Sequence, residues 1–311
     1  MKHIPILLKE TIEGLAIKPE GIYVDATLGR GGHSLEIIKR LTKGHLYSCD
    51  LDHQAIETVL AGPLSTYKNF TPIQGNYAQL KEKLAAHGVS QVDGVLFDLG
   101  VSSPQFDDPE RGFSYRFDAR LDMRMDQQQE IDAYTIVNTY TQQDLARILW
   151  QYGEEPFSKK IAQAIVNNRP ITTTFELVEV IKSVLPQKVL RKKGHPAKQS
   201  FQALRMEVNQ ELTSLQQALE QASAMLKPGG RLVVITFHSL EDRLVKQYFN
   251  ALSTPPKVNK RLPIIEEVQV HFTHLTKKVL VPSPEEIAEN PRAASAKCRI
   301  LHKKEIHHGN H

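Results

Sequence analysis

The segment Asp25-Ala26-Thr27-Leu28-Gly29-Arg30-Gly31-Gly32-His33-Ser34 carries three glycines in four positions, directly after the β-favouring run Ile22-Tyr23-Val24. At such a strand-to-helix turn, backbone amides approach a nucleotide-like ligand without side-chain obstruction, although a bare tight turn has the same composition. Asp50 closes the next β-like run, 21 positions after Gly29. An acid placed there accepts hydrogen bonds from both hydroxyls of a ribose. Ser34 stands where a dinucleotide fold needs its third glycine, and the carboxylate of Asp25 at the loop entrance would repel a pyrophosphate. A ligand with a positive amino group at its near end and no phosphate suits this loop better, and S-adenosylmethionine is such a ligand. Asp52 reads as a surface or helix-capping residue.

A third site follows Val92–Asp98, where Asp98 leads into Gly100, Ser102, Ser103 and Pro104. An acid followed by a small, polar, proline-containing loop offers acceptors that hold an exocyclic amine and draw its lone pair out of conjugation. Asp98 with the backbone of Ser103 and Pro104 is assigned that catalytic role; the competing reading has Asp98 holding the amino group of the cofactor. Phe106 and Phe113 are candidates to stack on a base taken out of its helix, with burial in the core as the alternative for each. His238, after the fifth strand, either orients substrate or caps a helix.

These residues need a sheet to bring them together. Strands around residues 22–24, 45–49, 70–74 and 92–98 alternate with helices at 35–41, 54–60 and 77–87, and each strand is apolar throughout. That pattern gives an α/β fold with a parallel sheet covered on both faces. The turn signal Lys227-Pro228-Gly229-Gly230 introduces a further strand at 231–237, and Leu212, Leu215, Leu219, Ala222 and Leu226 form the stripe of a long helix before it. From Asp98 to Arg231 is 133 positions, whereas one crossover helix with its loops takes roughly 30 to 40. A small domain therefore interrupts the sheet. It reads as helical, with Phe157, Ile161, Ile165 and Val166 on one stripe and Thr173 with Glu176 as a capping box. The expected organisation is a discontinuous cofactor-binding domain, 1–115 and 206–311, around a helical insert, 116–205.

The 311 residues carry a net charge of only +4, but it is unevenly spread. Residues 156–205 hold ten Lys and Arg against two Glu, a net +8, so the remainder sums to −4. A basic helical module on a mildly acidic body is an electrostatic footprint for a polyanion, set against the plainer reading of solvated helix faces. Two cysteines, Cys49 and Cys298, lie 249 positions apart with no Cys-x-x-Cys spacing, which points away from a disulfide framework and a thiolate metal site. No apolar run approaches the length of a signal core or a membrane helix. The expectation is a cytoplasmic protein with no metal and a polar, frayed tail.

Beyond these readings, the chain resembles the bacterial family of S-adenosylmethionine-dependent methyltransferases that modify N4 of a cytosine in the decoding region of 16S ribosomal RNA, cytosine 1402 in the standard count. The matching pieces are HIPILLKE (3–10), DATLGRGGHS (25–34), DLGVSSPQFDD (98–108), RGFS (111–114), LDMRMD (121–126), YGEE (152–155), FQALRMEVNQE (201–211), FHSLEDRLV (237–245) and ENPRA (289–293). They run in order along nearly the whole chain; the basic tract 188–195 is the part that departs from the pattern. The resemblance implies a Rossmann-like class I methyltransferase sheet with a helical insert. It also implies cofactor contacts at Gly31, Gly32, His33, Asp50, Tyr77, Asp98 and Gln105. Tyr77 and Gln105 come from the resemblance alone. The implied partner is 16S rRNA within the small ribosomal subunit; the charge distribution, rather than the resemblance, makes Lys188, Arg191, Lys192, Lys193 and Lys198 the candidates to grip its phosphates. The oligomeric state is left open, a homodimer included. The alternatives are methylation of another RNA, a protein or a small molecule, a nicotinamide-dependent oxidoreductase, and a non-catalytic RNA chaperone.

Overall fold

The computed structural model describes residues 5–100, 103–255, 269–276 and 278–305, the side chains of Ser103 and Pro104 excepted. Two compact units emerge, 1–100 with 213–311 and 101–212. The insert is thus longer at both ends than 116–205, because Phe113 before it and Val208 after it are buried in the same apolar core as its helices.

In the first unit, seven strands form one sheet in the order β3-β2-β1-β4-β5-β7-β6. They are β1 Ile22–Asp25, β2 His45–Asp50, β3 Phe70–Gln74, β4 Val92–Asp98, β5 Leu226–Thr236, β6 Phe272–His274 and β7 Lys297–Lys303. The pairs β1–β2, β2–β3, β1–β4 and β4–β5 are parallel. The last two strands pair antiparallel, β7 against β5 and β6 against β7, and neither was evident in the sequence. The chain steps outward from β1 to β3 and then returns to place β4 on the other side of β1. That reversal opens a crevice at the carboxyl ends of β1 and β4, where doubly wound sheets bind ligands.

Apolar residues cover both faces because each strand alternates between two apolar clusters. Val95 and Phe97 of β4 face one core with Leu232 and Val234 of β5, while Leu96, Val233 and Ile235 face the other. The first core is closed by Leu215, Leu219 and Ala222 of the helix Glu211–Met225, the predicted stripe. One expectation shifts. Lys227-Pro228-Gly229-Gly230 does not precede β5 but lies within it as an irregularity, since Val92 pairs with Leu226 and Gly94 already with Arg231. The left-handed φ of 80° at Gly229 accommodates the extra residues.

The second unit is helical, including Ala133–Thr139, Gln142–Gln151, Ser158–Asn167, Thr174–Ser183 and Lys198–Val208. The Thr173–Glu176 capping box is formed in full. Several family-like motifs prove to be its internal stitching. The buried Arg111 guanidinium donates to the carbonyls of Arg124 (3.0 Å) and Met125 (3.2 Å), joining RGFS to LDMRMD. Asn209 accepts from Met125 N and donates to the carbonyls of Met123 and Arg205, each at 2.8 Å. Arg205 forks onto Glu211 at 2.7 and 2.9 Å. None of the described helices is long and apolar enough to cross a membrane.

Candidate functional site

Gly31, with φ 73°, is the N-cap of the helix Gly32–Ile38 and turns the chain from β1 into it. A methyl group at Gly31 would lie 2.7 Å from Leu64 Cδ1, and one at Gly32 only 2.4 Å from Pro5 Cγ. The glycine loop is therefore pressed from one side by Pro5 of the HIPILLKE leader, a contact that periodicity gives no sign of.

Asp25 does not serve as expected. It is 1% exposed and already satisfied: Ser34 Oγ donates to Oδ2 at 2.7 Å and Thr27 N to Oδ1 at 3.1 Å. Ser34 Oγ also lies 2.8 Å from Ser48 Oγ of β2. Burial raises the Asp25 pKa, opposed by the Ser34 hydrogen bond and the charge of His33. Asp25 is a buried strut that fixes loop to strand, and Ser34 is its donor partner.

Asp50 is tied to the loop by its carboxylate. Its Oδ2 accepts from Gly29 N at 2.8 Å and its Oδ1 from Asp52 N at 2.9 Å, while Gly75 N donates to its carbonyl at 2.8 Å. The loop, the end of β2 and the start of the segment leading to Tyr77 are thereby tied together. Burial pushes the Asp50 carboxyl up to about 6, against the lowering effect of the two amide bonds. Asp52 caps the next helix by accepting from Gln54 N at 3.0 Å.

Asp98 stands at the carboxyl end of β4. Its amide donates to Thr27 Oγ1 at 2.6 Å, and its Oδ2 lies 3.4 Å from His33 Nδ1. Its Oδ1 is buried and accepts no hydrogen bond from the described residues. An acceptor in that state costs about 1–3 kcal/mol unless a ligand supplies a donor. The other ring nitrogen of His33 lies 3.0 Å from the Ile6 carbonyl. Both nitrogens thus face acceptors, the arrangement that suits a doubly protonated ring. Burial pulls the His33 pKa down, but the hydrogen bond and charge of Asp98, then Asp25 and the Ile6 carbonyl, outweigh it, and the net shift is upward. Thr27 and Ile6 were missed; only membership of the quoted motifs marked them.

The half-buried Tyr77 ring meets Phe97 of β4 edge-on, 5.7 Å between centroids, and packs against the apolar cluster that holds Phe97. Gly31, Gly32, His33, Asp50, Tyr77 and Asp98 are all borne by the sheet unit. Ser103, Pro104 and Gln105 belong to the short helix Ser103–Asp107 of the other unit, where Gln105 is buried. Val101 and Ser102 lie outside the described residues. Phe113 is 3% exposed within the insert core and is unable to stack on a base. His238 takes the capping alternative, its Nδ1 accepting from Glu241 N at 3.4 Å. Lys188, Arg191, Lys192, Lys193 and Lys198 are all exposed. Both cysteines are free and buried, their thiols pushed up to about 12 by burial.

The acceptor set fits a nucleoside cofactor that bears hydroxyls and an amine. Carboxylates at Asp50 and Asp98 flank the loop and oppose a phosphate, and Asp50 keeps lone pairs beyond those that its two amide donors use.

A profile of the MraW methylase family matches residues 1–304. A protein of Oenococcus oeni named ribosomal RNA small subunit methyltransferase H is 52% identical over 313 aligned positions, covering 97% of this chain and 98% of its own. The protein of that name from Spiroplasma kunkelii is 53% identical over 308 positions, covering 96% and 98%. Among solved structures, an rRNA methylase from Streptococcus thermophilus aligns over 98% of this chain and 99% of its own, at 14% identity and a TM-score of 0.43.

Proposed function

The chain belongs to the MraW methylase family, and from that premise we propose that it transfers a methyl group from S-adenosylmethionine to N4 of a cytosine in the decoding region of 16S rRNA, within the small ribosomal subunit. The observation that carries this reading is Asp98 Oδ1, a buried acceptor with no donor among the described residues, set beside the glycine loop at the switch point of the sheet.

The cofactor, when bound, supplies an electrophilic methyl group on a sulfonium. Binding, orientation and water exclusion fall to the chain. Asp50, held at both carboxylate oxygens by amides, offers its remaining lone pairs to the ribose hydroxyls. Gly31 and Gly32 let the backbone approach without side chains. The amine of cytosine is a poor nucleophile because its lone pair feeds the ring. An acceptor at one of its hydrogens turns that lone pair toward the methyl carbon, at the ~3 Å separation a near-attack geometry needs. Asp98 Oδ1 is the acceptor and would take the proton that N4 sheds on gaining a methyl group, and His33 with Thr27 holds Asp98 in place as positioning residues. Ser103 and Pro104 contribute backbone acceptors, and Gln105 a further cofactor contact. Lys188, Arg191, Lys192, Lys193 and Lys198 grip phosphates without reading sequence.

The test is transfer of label from S-adenosylmethionine to naked 16S RNA and to assembled small subunits, with the modified nucleoside identified. N4-methylcytidine is expected. A methylated adenine, or no transfer to either substrate, would overturn the proposal.

A further inference from the structure

Two phenylalanines of the insert lie on its surface, Phe117 at 42% and Phe175 at 44% exposed. Single exposed apolar residues are ordinary, but these two are fixed to one another through their backbones. Thr174 Oγ1 donates to the Phe117 carbonyl at 2.6 Å and accepts from Ala119 N at 3.1 Å. Thr174 N donates to the Ala119 carbonyl at 2.8 Å, and Phe175 N to Asp118 Oδ1 at 3.3 Å. Arg120 bridges Thr173, so residues 117–120 are strapped along the start of the helix Thr174–Ser183. Little conformational entropy is left to lose when something packs on the rings.

The surroundings are cationic. Arg116 is exposed and adjoins Phe117 in the chain. Tyr115, one residue further back, stacks on His195 at 4.1 Å and 13°. Burial lowers the His195 pKa, and the charges of Lys182 and Arg116 lower it further, which places both cations near that ring. The exposed Arg191, Lys192 and Lys193 precede His195 in the chain by two to four positions. Of the carboxylates, Asp118 accepts from Phe175 N, Glu176 is held in the capping box and Glu179 pairs with Lys182 at 3.0 Å.

We propose that Phe117 and Phe175, flanked by Arg116 and the 191–193 tract, form a stacking platform for unpaired bases of the RNA substrate, an inference that rests on the RNA reading above. Every base has a π-face, so rings on a rigid mount beside phosphate-binding cations hold single-stranded RNA without reading its sequence. The platform would hold nucleotides of the substrate other than the target cytosine.

The test compares Phe117→Ala, Phe175→Ala and the matching Leu and Trp substitutions in the full chain. Two quantities are read: KM for small subunits and for S-adenosylmethionine, and binding of a fluorescent unstructured oligoribonucleotide. Each Ala substitution is expected to weaken oligoribonucleotide binding and raise the RNA KM by about tenfold, with cofactor KM and kcat unchanged. Trp should restore binding and Leu should not. If the Ala variants match wild type in both readouts, or if Leu restores as well as Trp, the platform is refuted, the second result marking a protein-facing apolar contact. A wild-type protein that binds the oligoribonucleotide with the expected Phe dependence but transfers no methyl group to 16S RNA would sink the cytosine reading and leave the platform standing. A wild type that methylates 16S RNA while the variants behave identically would do the reverse.

Discussion

His33→Gln tests whether the ring between Ile6 and Asp98 is a cation. The ring is 5% exposed, 3.0 Å from the Ile6 carbonyl and 3.4 Å from Asp98 Oδ2. A charged donor to a carbonyl contributes about 1–2 kcal/mol, and an ion pair stretched to 3.4 Å, whose carboxylate side chain is 28% exposed, about 1 kcal/mol more. Glutamine keeps one donor and loses the charge, so near pH 6 the variant should be less stable by about 2 kcal/mol. For a unit of this size that is a melting temperature lower by about 4–8 °C. The pH dependence carries the diagnosis. His33 has its pKa raised above the ordinary 6.5, so the stability it contributes is complete below 6.5 and is lost as pH rises through the folded-state value. The gap between wild type and variant should therefore close with rising pH, because the neutral ring, like glutamine, is uncharged and has a donor for only one of the two facing acceptors. Asp25 and Asp50, whose carboxyls burial also raises, titrate in both proteins. Asp25 is coupled to His33, so the comparison is repeated in an Asp98→Asn background, where the slope should flatten. The assay is scanning calorimetry of the cofactor-free protein between pH 6 and 9 at fixed ionic strength. A gap that stays constant or widens would refute the imidazolium assignment.

Cofactor affinity should fall roughly tenfold per unit as pH drops below about 6, because protonation of Asp50 removes the charged acceptor for the ribose hydroxyls; Asp50→Asn should bind weakly and without that slope, by calorimetric titration. Gly112→Ala should destabilise the insert by more than about 3 kcal/mol, since φ there is 66° and the new methyl would sit 2.4 Å from the Arg120 carbonyl and 2.9 Å from Asp122 N. Urea unfolding followed by circular dichroism measures that loss, and a wild-type midpoint would contradict the contact.

The sequence alone determined the parts that depend on local order. Strand runs apolar on both faces required helices above and below a parallel sheet. The 133-residue gap required an insert. Three glycines and two strand-end acids located the loop, Asp50 and Asp98, because a sheet brings the carboxyl ends of its parallel strands to one edge whatever lies between them. The charge split between body and insert was equally plain.

Tertiary structure decided what each polar group spends its hydrogen bonds on. Asp25 and Asp98 look alike in the chain, each an acid ending an apolar strand. Ser34 and Thr27 saturate the first, whereas the second keeps Oδ1 without a donor among the described residues, and that difference separates a strut from a site. Phe113 and Phe117 are likewise four positions apart and chemically identical, yet one fills the insert core and the other is held at its surface. The arginine and asparagine of the family motifs, Arg111 and Asn209, clasp loops of the insert. Burial and partnership arise from residues distant in sequence, so no local pattern encodes them.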